Sequence, residues 1–189
     1  MQPRLPKYLA HYYEASIGPF INLSDYPPNE AEKILERIRQ TKSTFASRRD
    51  GDYLKIRREL EERVRDLFIQ KGGCPVRARP HYMMLGICEW AKTWYDEGAE
   101  LRIPLTQFSP EIVSFTYGDT FPAMRYQDDK IYRGQVYTLA EIRALVAEFG
   151  LPQEQNPKGA LGPDRYIEAQ IWSDTPLRSH FPWIRPNDF

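Results

Sequence analysis

The sequence predicts a single α+β domain, with a mixed or antiparallel sheet that packs against about three helices. A length of 189 residues suits one hydrophobic core. The content of 41% hydrophobic and 13% aromatic residues is typical of a globular chain, because disordered chains lack the apolar side chains that offset the entropy of ordering. The patterns run in the order strand, two helices, several strands, helix and closing strand, which differs from the regular alternation that builds a parallel sheet.

The first strand is predicted over residues 7–14, KYLAHYYE, a run rich in tyrosine. Successive side chains of a strand point to opposite faces of the sheet. His11 is therefore expected on the same face as Leu9 and Tyr13.

Two amphipathic helices are predicted next, because apolar residues recur there at helical spacing. The first follows two prolines and carries Ala31, Ile34, Leu35 and Ile38. The second lies within residues 52–73, ends at two glycines and carries Tyr53, Leu60, Val64, Leu67 and Phe68. On its charged face acids precede arginines by four residues, as in Glu61 and Arg65, so this face is predicted to be solvated.

Four further strands are predicted from short β-branched or aromatic runs bounded by Pro, Gly or Asp. They lie at residues 81–87, 101–105, 112–117 and 165–172. The segment CEWAKTWYDEG, which follows the first of these runs, fits either a short helix or an aromatic loop.

The third helix has the clearest local pattern in the chain. Thr138 and Glu141 match a capping box, and Gly150 follows the last apolar residue, so a helix is predicted over residues 139–149. A long connection rich in Pro and Gly follows. The tail, residues 173–189, contains three prolines and is predicted to be irregular.

Composition excludes several classes of partner. Lys plus Arg and Asp plus Glu number 26 each, so no net charge draws the protein to nucleic acid or to an anionic membrane. The N-terminus lacks the pattern of a signal peptide, and no stretch is long and apolar enough to span a bilayer. A cytoplasmic protein is therefore expected, in which Cys74 and Cys88 remain thiols that serve as packing residues.

Motifs for metal and nucleotide chemistry are missing from the sequence. His11, His81 and His180 have no ligand spacing to one another or to the cysteines, so no metal site is predicted. GxSxG, Walker and GxGxxG patterns are also absent.

The stretch SFTYGDTFPAMRY, residues 114–126, concentrates aromatic, hydroxyl and charged side chains. One interpretation is that its aromatic residues belong to the core and present polar tips at the surface. The other is a pocket in which aromatic faces stack on a planar ligand while Arg125, Arg133 or Arg165 binds an anionic group.

Two resemblances bear on function. The segments HYYE, FPAMRYQD, YRGQVYTLAEI, GLPQEQNP and GPDRYIEAQIW resemble an uncharacterised bacterial family labelled only as group-specific proteins, which implies no particular reaction. The order of the polar strands is also similar to that of ADP-ribosyltransferase-like enzymes, with matching residues His11, Ser114, Thr116, Tyr117, Glu168 and Gln170. This second resemblance implies glycosyl transfer, with Glu168 as catalytic acid or base, His11 as orienting group, and NAD as a substrate rather than a required cofactor.

The function predicted from the sequence is the binding of a small molecule, such as a nucleotide or another phosphate-bearing compound. The predicted site is lined by His11, Tyr117, Arg125, Arg133 and Glu168. The alternative is a non-catalytic domain whose aromatic residues and proline-rich tail form a protein-binding surface or a homodimer interface.

Overall fold

The computed structural model describes residues 4–41 and 45–178 and contains one five-stranded antiparallel sheet. The strands are β1 (Tyr8–Glu14), β2 (His81–Leu85), β3 (Gly98–Pro104), β4 (Val113–Tyr117) and β5 (Ile167–Ile171). Their order across the sheet is β3-β1-β2-β5-β4. The first strand therefore lies inside the sheet and beside β2, which is paired in turn with the last strand.

Three long helices accompany the sheet, and shorter ones lie in the connections. They are α1 (Pro28–Thr41), α2 (Tyr53–Gln70), α3 (Glu89–Lys92), α4 (Thr120–Arg125), α5 (Leu139–Phe149), α6 (Pro152–Gln155) and α7 (Thr175–Arg178). The predicted α+β class and the three long helices are confirmed. The capping box of α5 is also confirmed, since the Thr138 side chain accepts from the Glu141 N–H and the Glu141 side chain accepts from the Thr138 N–H.

Several local predictions need correction. Residues 88–98, for which the sequence allowed a short helix or an aromatic loop, contain the single helical turn α3. The next strand, β3, begins at Gly98, earlier than predicted. Helical turns also occur in the connection after α5 and at the start of the tail, which was expected to be irregular. Residues 179–189 of that tail lie outside the described residues. Of the two cysteines, Cys88 is buried as expected of a packing residue, whereas Cys74 is exposed.

One face of the sheet packs against α5. Ile142, Leu145 and Val146 of this helix share a buried cluster with strand residues such as Phe115 and Ile167. Burial of these side chains is favourable in proportion to the apolar area removed from water. The part of this face that α5 covers is apolar and buried.

The opposite face of the sheet is covered unevenly. Phe68 of α2 packs with Trp172, which directly follows β5. In contrast, Leu35 of α1 packs with Leu54 of α2 in a separate cluster that contains no strand residue. The helical pair is therefore anchored to one part of the sheet. Another part of this face, with Ala10 and Met84, is buried against the α3 segment and Tyr166.

The charged face of α2 departs from its predicted solvation. Glu61 is only 1% exposed, and it pairs with Arg57 at 2.9 Å. Arg65, the partner expected from i,i+4 spacing, donates instead to the carbonyls of Arg77 and Pro75. Part of the face that the sequence assigned to solvent thus turns towards the interior.

Among the described helices, none combines the length and apolarity needed to cross a bilayer.

Candidate functional site

A cavity of about 880 Å³ is lined by residues of β1, β2 and β5 of the sheet, of α1 and the start of α2, and of the segments that connect them. This volume is within the range of small-molecule sites. Aromatic rings form much of its wall, and those that line it are His11, Tyr12, Tyr13, Phe20, Tyr26, Tyr53, His81, Tyr82, Trp94, Tyr95 and Phe121. Such a wall favours a ligand with a planar or apolar part.

Glu168 of β5 lies at the floor of this cavity and is 9% exposed. Its Oε2 accepts hydrogen bonds from the backbone N–H of Thr120, at 3.0 Å, and from the Thr120 hydroxyl. Its Oε1 makes no hydrogen bond to any described residue and is not enclosed by protein. One oxygen is thus held by the protein, while the other is available to a ligand.

The environment of Glu168 keeps a proton on the carboxyl group. Burial raises its pKa, and the charge of Asp119 raises it further, to about 8, although the Thr120 hydrogen bonds and Arg57 oppose the shift. Because both Thr120 donors bind Oε2, the proton belongs on Oε1. Glu168 can therefore donate a hydrogen bond or a proton into the cavity at neutral pH.

A second carboxylate, Asp119, lines the same cavity. Its Oδ1 caps α4 by accepting from the Phe121 N–H at 2.8 Å, and its Oδ2 accepts from the Tyr166 hydroxyl at 2.6 Å. Both oxygens are held by protein donors, in contrast to Glu168. Two acids in one cavity thus have different environments, which is the arrangement that separates the roles of paired carboxylates in enzymes.

A buried hydrogen-bond chain lies behind Glu168. The Trp172 indole donates to the Ser114 hydroxyl, which donates to Oε1 of Gln170. The Gln170 amide then donates to the hydroxyls of Thr116 and Thr120, both at 3.1 Å. The Thr120 hydroxyl accepts from Gln170 and donates to Glu168. The chain therefore orients the hydrogen of this hydroxyl towards the carboxyl group.

Arg57 lines another part of the cavity and is held by three side chains. Its guanidinium donates to Glu61 at 2.9 Å, to Asn22 at 2.7 Å and to Tyr53 at 3.2 Å. It also lies 4.8 Å from the ring centre of Tyr82, whose hydroxyl donates to Glu61. This network fixes the position of Arg57 and commits most of its donors.

His11 lies where the sheet opens between two strands. β1 pairs with β3 along its whole length, but its register with β2 consists of Ala10 and Met84. Beyond that pair the His11 ring bridges the gap, with Nδ1 at 2.9 Å from the Tyr82 carbonyl and Nε2 accepting from the Phe20 N–H at 3.0 Å. The ring must be neutral with its hydrogen on Nδ1 to satisfy both contacts.

The surroundings of His11 hold it in that neutral form. Burial lowers its pKa to about 4. Phe20 stacks on the imidazole at 4.1 Å and has a φ of 59°, a left-handed conformation that non-glycine residues seldom adopt. With both nitrogens bonded to backbone, His11 shapes the cavity wall but has no lone pair available for proton transfer.

The remaining predicted site residues lie away from the cavity. Tyr117 points to the opposite face of the sheet, where its hydroxyl donates to the Gly150 carbonyl at 3.1 Å. Arg133 pairs with Asp164 at 2.7 Å, and Arg125 is exposed on the surface. The structure therefore brings His11 and Glu168 to one cavity, places Ser114, Thr116 and Gln170 behind its floor, and separates the other three.

Some residues of the cavity were not predicted. Asp119 and Thr120 lie within residues 114–126, the stretch rich in aromatic and charged side chains. Asp119 is the N-cap of α4, and an aspartate directly before a helix is a recognisable capping pattern. Arg57 and Tyr53 lie on α2, four residues apart. Tyr53, Arg57 and Glu61 follow one another at intervals of four residues, which could have indicated that their side chains interact. The same spacing is common on solvated helix faces, so it did not indicate a buried site.

Within the described part of the chain, no group of three or more His, Cys, Asp or Glu side chains could hold a metal ion. No protein-family model, curated protein or solved structure matches the chain. The case for a function therefore depends on the geometry of the cavity.

Proposed function

We propose that this protein binds a small molecule with a planar ring in the cavity, and that Glu168 donates a hydrogen bond to it. The observation that carries the proposal is the asymmetric carboxyl group, with Oε2 held by Thr120 and Oε1 open to the cavity. A hydrogen-bond acceptor of the ligand, such as a carbonyl, a ring nitrogen or an ether oxygen, is the natural partner of this group.

The aromatic wall supports the ring as the second recognised part of the ligand. Tyr53 and Phe121 lie nearly parallel, with 5.0 Å between ring centres and 3° between planes. Fixed rings offer a large contact area with little loss of side-chain entropy on binding.

Substitution at Glu168 tests this proposal through the pH dependence of binding. A panel of ring compounds that are neutral at both pH values, including adenosine, cytidine and nicotinamide, is screened by thermal shift and titrated calorimetrically at pH 6 and pH 9. Ligands that bind should raise the melting temperature by mass action. Binding to the native protein should weaken at pH 9, because Glu168 loses the proton that it donates.

Two substitutions separate the donor from the shape of the side chain. Glu168→Gln retains an N–H donor, so it should bind the same compounds at both pH values. Glu168→Leu should weaken binding at both, and exposed Glu154→Gln should behave as the native protein. Equal binding by Glu168→Leu and the native protein, or binding by no compound of the panel, would overturn the proposal.

Glycosyl transfer of the ADP-ribosyltransferase type is a second candidate, favoured by the presence of two carboxylates in one cavity. In such a reaction the bond between the ribose and nicotinamide would break, and its electron pair would pass to the cationic ring nitrogen, so that nicotinamide leaves neutral and needs no proton. Asp119 would stabilise positive charge at the sugar carbon, water would attack that carbon, and Glu168 in its ionised form would accept the proton of that water. The test is release of nicotinamide from NAD, which Glu168→Gln should abolish without lowering the melting temperature. No release by the native protein would remove this candidate and leave binding intact.

The non-catalytic alternative is favoured by an apolar rim on the cavity. Ile17 and Ile21 line the cavity and are 65% and 57% exposed. Exposed apolar side chains of this kind occur in protein interfaces. If they mediate self-association, light scattering should give a dimer for the native protein and a monomer for Ile21→Asp, and a native monomer would count against a homodimer.

A further inference from the structure

We propose that the ligand of this cavity carries a phosphate or similar anion, and that Arg49 binds this group. The inference rests on the proposed function and names the class of its ligand. The cavity wall contains an arginine whose guanidinium is oriented by stacking and forms no ion pair with an acid.

Arg49 differs from the other arginines of the wall in its partners. Its guanidinium makes no hydrogen bond or ion pair with any residue that the structure describes. Arg57 is committed to Glu61, Asn22 and Tyr53, and Arg37 donates to the Lys33 carbonyl. Arg49 therefore retains its full set of donors for a ligand.

Stacking orients Arg49 along the wall. Its guanidinium carbon lies 4.4 Å from the ring centre of Tyr53, and Tyr53 stacks in turn on Phe121. A guanidinium that lies on an aromatic face is partly desolvated and restricted in its rotation. Less freedom is then lost when the group binds a phosphate through two hydrogen bonds.

The same stack connects Arg49 to the acid at the floor. Phe121 directly follows Thr120, which holds Oε2 of Glu168. Arg49 is partly exposed, whereas Glu168 is buried, so the cation lies nearer to solvent than the proton donor. A ligand with a ring and a phosphate can direct an acceptor of the ring to Glu168 and its anion to Arg49.

Five acids line the wall, and none of them forms an ion pair with Arg49 in the described structure: Glu14, Asp96, Glu97, Asp119 and Glu168. Both oxygens of Asp119 accept hydrogen bonds, from the Phe121 N–H and the Tyr166 hydroxyl. Glu14 accepts hydrogen bonds from the backbone N–H groups of Asp96 and Glu97, at 3.0 and 3.1 Å. Glu168 is protonated at neutral pH and adds no negative charge. Inorganic phosphate is expected to gain little binding free energy at a wall that also carries acids. Binding of the anion by Arg49 therefore depends on the ring contact made by the same ligand.

Matched pairs of compounds test the inference by calorimetry at pH 6.5. The pairs are adenosine and AMP, uridine and UMP, and 1-naphthol and 1-naphthyl phosphate. For at least one pair, the phosphate should tighten binding by about tenfold or more, as expected for charge-assisted hydrogen bonds. Arg49→Met should remove this gain and leave the neutral member within about twofold, because methionine keeps the apolar stem.

Arg48→Met is the matched control, since Arg48 is adjacent in sequence but exposed and outside the cavity. It should preserve the gain from phosphate. If neutral members bind and depend on Glu168 but phosphate adds nothing, or if Arg49→Met leaves the gain unchanged, the inference is wrong and the proposed function stands. If no member of any pair binds, both are overturned.

Discussion

Glu168 should make the fold less stable as pH rises, because its carboxyl group is protonated in the folded protein. Its pKa is about 8 in the fold, against an ordinary value of 4.5. Below 4.5 the group is protonated in both folded and unfolded states. Between 4.5 and 8 only the folded state retains the proton, so the free energy of unfolding decreases through this range and levels off above it.

Glu168→Gln removes this titration and should be more stable than the native protein by on the order of 3 kcal/mol at pH 7. The difference should be smaller at pH 5 and larger at pH 9. Urea unfolding at the three pH values measures it, with Glu154→Gln as a control that follows the native curve. A difference that does not change with pH would show that Glu168 is ionised in the fold.

His11 should titrate far below the usual range of imidazoles. Its folded pKa of about 4 lies below the ordinary value of 6.5, so the unfolded state binds more protons between these values. Its contribution to stability is therefore complete above about pH 6.5 and is lost as the pH falls towards 4. Nitrogen NMR shifts should report a neutral ring with hydrogen on Nδ1 down to pH 5, and a midpoint near 6.5 would contradict the assigned contacts.

At the scale of the element, amphipathic spacing was sufficient to predict the three long helices and most strands. The apolar stripes of α2 and α5 are buried as their periodicity requires. The one-turn helices α6 and α7 were not predicted, and α3 was one of two alternatives for its segment, since four residues are too few to express a helical period. Their stability depends on contacts that the local sequence does not specify.

The candidate site was predictable only in part, for a related reason. Alternation along a strand identified the polar face that contains Glu168 and Gln170, but it could not tell which end of that face meets a cavity. Tyr117, which the sequence assigned to the site, packs on the face that α5 covers, and strand parity does not reveal which face a helix covers. Arg57 was not predicted, because the sequence of a helix does not show which of its charged residues face solvent and which face another element.

The cap of α5 offers a test of the clearest local signal. Thr138→Ala removes the acceptor for the Glu141 N–H and should lower the free energy of unfolding by about 1 kcal/mol. Thr138→Ser should retain most of it. Urea unfolding measures both, with exposed Thr106→Ala as the control, and a loss equal to that of the control would show that the cap contributes nothing.

At the scale of the whole molecule, the cavity exists because the helical pair is attached to the sheet through polar contacts as well as apolar ones. Oε1 of Glu61 accepts from Ser24 at 2.8 Å, from Arg57 at 2.9 Å and from Tyr82 of β2 at 3.0 Å. A fully apolar junction would close by packing side chains together. A buried carboxylate with three donors instead fixes the separation between α2 and the strands.

Glu61→Leu should therefore destabilise the protein strongly, by about 3 to 5 kcal/mol, because it leaves the charge of Arg57 buried without its partner. The double variant Arg57→Met with Glu61→Leu should recover part of this loss, since an apolar pair of similar volume leaves no uncompensated charge. Glu62→Leu is the matched control on the same helix, because Glu62 is exposed and its ion pair with Arg79 contributes little. Urea unfolding compares these three variants with the single substitution Arg57→Met. If the double variant is as unstable as the sum of its single substitutions, Arg57 and Glu61 act independently, and the separation of helix and sheet must be set by the apolar contacts of Phe68 and Trp172.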